Sequence, residues 1–275
     1  MRLTRGAMVM VGLVVLGGCQ KEAGPWLQPQ VPLAYTRFIN AVPDTFATDW
    51  RFVDRLDYSP TAILLAFRSF TPYQATWPGA RRLRIFTNPG GSFPDINVVS
   101  TVLVDTTVTF EASGYYTLVH VGYTRSGQSP GARLLVIRDS IPGNIGTQVA
   151  VRAVHLGAGL GSVDVFGASS TSGALPSSPL FGNLGYLGVT SYVLRAPGAL
   201  AYRVTASGST SPELAAALAP AGAAGDPVAN LTTVGGSSQA GSALTGFFFP
   251  RSVAGSRAAS FTAPGVVWVV DRHPR

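Results

Sequence analysis

Short apolar runs, each closed by glycine or proline, fill this sequence from residue 35 to its end. Runs such as RLRIF alternate apolar and polar residues, as a strand with one buried face does, whereas LLVI and VVWVV suit strands covered on both faces. With 32 glycines, 20 prolines and only 12% charged residues, the pattern predicts an all-β sandwich or barrel. The candidate strands are 35–42, 49–56, 62–69, 82–87, 100–112, 115–123, 132–139, 148–156, 162–167, 190–196, 200–207, 242–249 and 265–272.

One segment carries helix signals instead. In TSPELAAALAPAG, Ser211 can cap a helix, Pro212 suits its first position and Pro220 would end it. We therefore expect a short helix at about 212–219, followed by a Gly/Ala/Ser-rich loop over 222–241.

The chain also repeats itself. Residues 36–54 can be aligned with 151–167, which places Arg37 on Arg152, and a loop then leads into a second strand in both copies. We also align 110–123 with 194–207, because a glycine turn leads into an aromatic-bearing strand in both.

A third alignment places 132–142 on 265–274, where a terminal strand ends near an Asp/Arg pair. Because the matches occur in the same order, we predict two tandem β-sandwich domains, at about 33–142 and 148–275, joined by the linker 140–148.

The second copy resembles a known bacterial family. VRAVHLGAGLGSVDVFG (151–167) and YLGVTSYVLRAPGALAYRVTASGS (186–209) look like the family called domain of unknown function 4397. The resemblance covers most of 148–210 and, more faintly, 35–139. It implies exported, often lipid-anchored or wall-associated, immunoglobulin-like β-sandwich domains, often in tandem, and no established activity. The chain departs from the family pattern in the loop LGAGLG and in Asn40, which takes the histidine position in the first copy.

The N-terminus has the features of a secretory signal, with Arg2 and Arg5 before the apolar run Ala7 to Leu16. The run is too short to span a bilayer as a permanent helix. Leu16-Gly17-Gly18-Cys19 resembles the bacterial lipobox, which implies cleavage between Gly18 and Cys19 and acylation of the cysteine, for example with palmitate. The alternative is an ordinary signal peptide in which the cysteine occurs by chance.

These features predict a lipoprotein with a signal peptide at 1–18 and a tether at 19–32. Gln20 after the cysteine, rather than aspartate, favours the outer membrane by resemblance to Gram-negative sorting signals. Two or three acyl chains suffice for stable anchoring. Since Cys19 is the chain's single cysteine, a lipidated chain forms no disulfide.

The charge of +7 allows two interpretations. A basic surface is attracted to anionic lipid or polysaccharide, but scattered arginines with the single lysine Lys21 are also typical of a GC-rich genome, and we favour the latter. Without a basic stripe, the sequence gives no reason to expect nucleic-acid binding.

A catalytic site is not indicated. His155 and Asp164 could hydrogen-bond across a hairpin, but no nucleophile is recognisable beside them, and Asn40 replaces the histidine in the first copy. We therefore interpret the pair as a structural device at strand ends, and we expect no catalytic residue and no cofactor.

Metal binding is equally weakly indicated. The histidines, His120, His155 and His273, are far apart and lack ligand spacing. A calcium site would need closely spaced oxygen ligands. NPGGSFPD offers only the oxygens of Asn88, Ser92 and Asp95, a pattern more typical of a turn, so we expect no metal.

Aromatic residues provide the remaining route to binding. Tyr73, Trp77 and Phe93 lie in proline-rich, loop-like segments and, if exposed together, could stack on sugar rings. The alternative is that they cover an insertion in the first copy.

The hypothesis at this point is a lipid-anchored cell-envelope protein with a non-enzymatic binding or structural role. Its expected partners are the membrane, through Cys19, and an envelope protein or polysaccharide. The alternative is a carbohydrate- or ligand-binding module of a polysaccharide system. A hydrolase has the least support.

Overall fold

The computed structural model describes residues 32–55, 57, 59–89, 101–256 and 258–274. These residues form β-strands joined by turns and loops, and no helix among them is long and apolar enough to cross a membrane. The strands are β1 (Ala34–Asn40), β2 (Ala47–Phe52), β3 (Thr61–Leu65), β4 (Gln74–Thr76), β5 (Gly79–Asn88), β6 (Val102–Phe110), β7 (Tyr115–Val121), β8 (Arg133–Arg138), β9 (Val149–His155), β10 (Val163–Ala168), β11 (Phe181–Leu184), β12 (Val193–Arg195), β13 (Ala201–Ala206), β14 (Glu213–Leu218), β15 (Ala243–Phe249) and β16 (Gly265–Arg272).

The strands form four four-stranded sheets, two in each half of the chain. The first half (β1–β8) has an inner sheet of order β4-β1-β7-β8 and an outer sheet of order β3-β2-β5-β6. The second half (β9–β16) repeats this arrangement, with an inner sheet β12-β9-β15-β16 and an outer sheet β11-β10-β13-β14. The prediction of an all-β fold with two sandwiches is therefore confirmed.

The two halves have the same strand pairing as well as the same strand order. In each inner sheet the first strand runs parallel to the seventh, so β1 pairs with β7 and β9 with β15, and the other described pairings are antiparallel. The registers also correspond: Tyr35 lies opposite Tyr115, and Ala150 lies opposite Ala243. The paired residues of β1 and β7 therefore have defined counterparts in β9 and β15.

The inner sheets are buried on both faces. Along β1, Phe38 packs in the core between the two sheets of the first half, whereas Ile39 belongs to a cluster shared by both halves. Along β9, Val151 packs in the core between the two sheets of the second half, and Val154 belongs to the cluster shared by both halves. The inner sheets therefore pack face to face, and the residues from Pro32 onward form one compact unit of four layers.

The pairing tests the alignments made from sequence. The alignment of 36–54 with 151–167 is correct, because β1 and β2 correspond to β9 and β10. The alignment of 132–142 with 265–274 is also correct, because β8 corresponds to β16.

The alignment of 110–123 with 194–207 is wrong. By position in the sheets, β7 corresponds to β15 and β13 to β5. A glycine turn followed by an aromatic strand occurs at both places, but only strand pairing shows that the two strands belong to different sheets.

The predicted helix at 212–219 is also wrong, because Glu213–Leu218 forms β14. This strand pairs antiparallel with β13, and the backbone carbonyl of Ala217 accepts a hydrogen bond from Trp268 Nε1 at 3.2 Å. Glu213 forms an ion pair with Arg203 on β13. Sheet pairing outweighs the local helix propensity of the alanines, as tertiary context often does.

Three strands had no counterpart among the predicted ones: the short β4, β11, and β14.

Residues 222–241 form an irregular loop with two isolated bridges, in agreement with the loop prediction. In the linker, Ile145 is buried against Ala150 and Ala243. The domain boundary near residue 148 remains a prediction.

Candidate functional site

Two arginine–aspartate pairs cross between the inner sheets. Arg37 on β1 forms an ion pair with Asp271 on β16, with 2.7 Å between Nη2 and Oδ1. Arg152 on β9 forms the equivalent ion pair with Asp139, which directly follows β8. Each arginine thus pairs with the aspartate of the other half, and all four side chains are at most 3% exposed.

On the side of the first half, a threonine and a tyrosine complete this network. Arg37 Nε donates to Thr117 Oγ1 at 2.7 Å, and the Thr117 hydroxyl donates to Asp139 Oδ2 at 2.6 Å. The Tyr73 hydroxyl donates to the same oxygen at 2.8 Å, and the Arg37 guanidinium lies 4.6 Å from the Tyr73 ring centroid.

The second half repeats each of these contacts. Arg152 Nε donates to Thr245 Oγ1 at 2.8 Å, and Thr245 donates to Asp271 Oδ2 at 2.6 Å. The Tyr192 hydroxyl donates to Asp271 Oδ2 at 2.8 Å, with its ring centroid 4.7 Å from the Arg152 guanidinium. We call the eight residues the Arg/Asp cluster: Arg37, Tyr73, Thr117, Asp139, Arg152, Tyr192, Thr245 and Asp271.

Strand alternation explains why these polar residues meet. Arg37 shares a face of β1 with Ile39, and Thr117 shares a face of β7 with Val119, so both polar side chains project toward the other half. The aspartates lie at the ends of β8 and β16, next to the same interface.

Burial and pairing set the protonation states in the cluster. Burial alone lowers the pKa of Arg37, but the adjacent Asp271 carboxylate more than compensates, and the net shift is upward. The pKa of Arg152 is also raised, because the nearby carboxylates of Asp139 and Asp271 act against its desolvation by burial. Burial raises the pKa of Tyr73 and of Tyr192, so both hydroxyls remain protonated donors.

The chemistry of the cluster is therefore structural. Two cations offset two anions, and both oxygens of Asp139 and of Asp271 already face a donor or a guanidinium. Both carboxylates are therefore engaged in contacts that join the two halves.

An open cavity of about 370 Å³ lies beside the Arg/Asp cluster. Its lining comes from both halves: Ser113, Gly114, Tyr115, Arg138, Asp139, Ser140, Ile141, Asp271 and Arg272. Small-molecule sites often lie at such junctions.

His155 has a structural position. It lies at the end of β9, where its Nδ1 accepts a hydrogen bond from Gly157 N at 3.0 Å and its Nε2 lies 2.9 Å from Gly161 O. Asn40, its counterpart, makes the equivalent turn contact by accepting from Val42 N at 3.1 Å. Burial lowers the pKa of His155, which favours its neutral form.

Asp164 does not pair with His155. It accepts backbone hydrogen bonds from Asn183 N at 2.6 Å and Gly208 N at 2.8 Å, and the first of these is the main reason that its pKa is lowered. Its counterpart Asp49 accepts from Leu64 N at 2.9 Å. Leu64 and Asn183 both have positive φ, at 54° and 50°, so the two aspartates hold the same unusual backbone turn.

The three aromatic residues considered for a sugar platform, or as cover for an insertion, lie in different environments. Tyr73 belongs to the Arg/Asp cluster. Trp77 donates from Nε1 to Asp57 at 2.9 Å, and the Arg55 guanidinium lies 3.9 Å from its ring centroid. Phe93 lies outside the described residues.

Some of the remaining candidate site residues lie within the described residues and others lie outside them. Gly18, Cys19, Ser92 and Asp95 lie outside the described residues. Asn88 donates to Asp49 Oδ1 at 2.9 Å. Within the described ranges, no three His, Cys, Asp or Glu side chains form a group that could hold a metal ion.

Residues 34–166 match the family described as Domain of unknown function (DUF4397). This region is DUF4397-like. The DUF4397-like region runs from the start of β1 to β10, and so includes the linker and the first two strands of the second half. The resemblance found by inspection was clearer in the second half, and the match lies mainly in the first. No curated protein matches the chain.

The Arg/Asp cluster was not predicted, although the sequence carries signals of it. Arg37 aligns with Arg152, and the two terminal Asp/Arg pairs align with each other. A third signal is that Thr71-Pro72-Tyr73 repeats as Thr190-Ser191-Tyr192. The two threonines also correspond, since Thr71 Oγ1 accepts from Phe38 N and Thr190 Oγ1 from Ala153 N.

Proposed function

We propose that this chain is a lipid-anchored cell-envelope protein whose two β-sandwiches act as one rigid, non-enzymatic binding or structural unit. The anchor is assigned to Cys19 and the location to the outer membrane. The proposal rests first on the lipobox-like sequence Leu16–Cys19 after a short apolar run, with the chain's single cysteine at the acylation position.

The Arg/Asp cluster supports the rigid-unit part of the proposal. Flexibly linked domains meet through small, polar and wet contacts. Here the halves share an apolar cluster that includes Ile39, Val119, Val154 and Phe247, and the buried ion pairs lie beside it. An anchored protein of this kind would present its loops in a fixed geometry.

The anchor is tested by labelling growing cells with radioactive palmitate. We expect the wild-type chain to carry the label and Cys19→Ala to lose it, while Gly17→Ala, a small-for-small change, keeps it. Absence of label from the wild type, or label that persists in Cys19→Ala, contradicts the anchor. Protease treatment of intact cells then distinguishes a surface location from a periplasmic one.

A carbohydrate- or ligand-binding module is the second candidate. It is supported by the cavity between the halves, whose lining combines Tyr115 with arginine and serine side chains.

A further inference from the structure

The cavity beside the Arg/Asp cluster has one aromatic wall. Tyr115 lines it and is 37% exposed. Its ring stacks on Tyr35 with centroids 4.8 Å apart and an angle of 16°, and it meets Tyr73 edge to face at 5.1 Å. Two other rings therefore fix Tyr115 before any ligand arrives, which lowers the entropic cost of binding.

The charged and hydroxyl-bearing side chains of the lining, apart from Tyr115, are two arginines, two aspartates and two serines. The carboxylates of Asp139 and Asp271 are already occupied within the Arg/Asp cluster. Arg138 is well exposed and pairs with Glu111 at the surface. Arg272 uses Nη1 to hold the linker carbonyls of Pro142 and Gly143.

Arg138 and Arg272 thus contribute two guanidinium groups to the cavity lining, each with a partner in the protein, beside the hydroxyl-bearing residues Ser113 and Ser140. Such a lining favours a ligand that carries an acceptor, and a carboxylate above all, since guanidinium–carboxylate contacts are strong and directional.

The second half lacks an equivalent cavity wall. The counterparts of Tyr35 and Tyr115 are Ala150 and Ala243, both fully buried under Ile145 of the linker. The repeat thus has aromatic residues at these positions in one half and alanines in the other.

We infer that this cavity binds an acidic saccharide, with a uronate carboxylate on Arg138 and Arg272 and the C–H face of a sugar ring on Tyr115. The volume of about 370 Å³ is near the lower end of the range for small-molecule sites, which fits one or two sugar rings. This inference rests on the proposed envelope role, because it names the ligand class of the binding function.

The test is calorimetric titration of the full chain, in detergent, with digalacturonic acid and with lactose as a neutral disaccharide. We expect saturable binding of the uronate and little binding of lactose. Arg138→Gln should raise the Kd about tenfold or more, because a charge-assisted contact is lost. Arg138 is a surface side chain, so this variant should fold normally.

Two further variants sharpen the result. Tyr115→Leu keeps an apolar side chain but removes the ring, and it should also weaken uronate binding. Arg82→Gln is the matched control, since Arg82 is likewise an exposed, ion-paired arginine but lies on the outer sheet, outside the cavity lining. It should bind like the wild type.

Three outcomes overturn the inference. They are a flat titration with the uronate, equal binding of lactose, and an equal loss of affinity in Arg82→Gln, which would indicate general charge attraction. The palmitate experiment does not depend on this cavity, so a labelled chain that binds no uronate removes the ligand and keeps the anchor.

Discussion

Arg37 and Asp271 lie on the first and last strands of the described fold and form a buried ion pair 2.7 Å long. Arg152 and Asp139 repeat this pairing in the opposite direction. The exchange joins the halves more specifically than apolar packing alone, because each charge finds a partner only when the other half is in place.

Removing one partner of this pair should be costly. We expect Arg37→Met to lower the free energy of unfolding by roughly 3–5 kcal/mol, because Asp271 remains buried without its counter-ion. Urea denaturation measures this loss. Arg152→Met should have an effect of similar size.

The control for this prediction is Arg138→Met, which breaks the exposed pair with Glu111 and should cost no more than about 1 kcal/mol. A double-mutant cycle with Arg37→Met and Asp271→Leu should give a clear coupling energy. If Arg37→Met were as mild as Arg138→Met, the buried pair would not stabilise the interface.

The two cluster tyrosines should be energetically equivalent. Tyr73→Phe and Tyr192→Phe each remove one hydroxyl donor from a buried carboxylate and leave the ring over the arginine. We expect each to lower stability by about 1–3 kcal/mol in thermal or urea unfolding. Markedly unequal losses would contradict the structural repeat of the cluster.

His120 should make stability depend on pH. It is fully buried, both its ring nitrogens lack a hydrogen-bond partner among the described residues, and its ring meets that of Trp50 at 85° with centroids 6.3 Å apart. Burial lowers its pKa from 6.5 to about 4, against a weaker opposing effect of Asp44. The neutral ring is therefore the form that the fold accepts.

Since the folded pKa is depressed, this stability is fully present above pH 6.5 and is lost as the pH falls toward 4. The loss reaches about 3 kcal/mol, from roughly 1.4 kcal/mol per unit of pKa. His120→Phe copies the counterpart Phe248 and should flatten most of this dependence in urea midpoints measured from pH 7.5 to 4.5. An unchanged slope in the variant would show that other groups cause it.

One pair of contacting residues differs in side-chain size between the two halves, and this difference gives a further prediction. Gly246 on β15 lies against the ring of Tyr202, and an added Cβ would clash with that ring. The first half has Leu118 and Leu83 at the corresponding positions. Gly246→Ala should therefore cost about 1–3 kcal/mol through overpacking.

The paired change Gly246→Leu with Tyr202→Leu copies the first half and should be more stable than Gly246→Leu alone, as measured by thermal unfolding. If the double variant were no better than the single one, the two positions would not compensate each other.

The sequence located most of the strands, because alternation, apolar runs and glycine or proline boundaries are local signals. It failed at β14, where alanine-rich sequence has helix propensity and only pairing with β13 makes a strand. It also placed β13 against the wrong counterpart, because a glycine turn before an aromatic strand does not reveal which sheet the strand joins.

For the candidate site, too, local sequence signals predicted some features and only the fold revealed others. Tyr73 is conspicuous in the sequence as an aromatic residue in a proline-rich segment, which suggested an exposed surface. In the fold its hydroxyl reaches Asp139, because β4 lies at the edge of the inner sheet beside β1. In the sequence, the only sign that Tyr73 lies in the interface is that the pattern Thr-x-Tyr occurs once in each half.

The sequence by itself determined the all-β class, the tandem arrangement and the correspondence of Arg37 with Arg152, since these depend on periodicity and repetition along the chain. Only the tertiary structure decided that each arginine pairs with the aspartate of the other half. The two inner sheets pack face to face and bury these charges. A buried charge is stable only when it is paired, so each arginine pairs with an aspartate that is near in space, although distant along the chain.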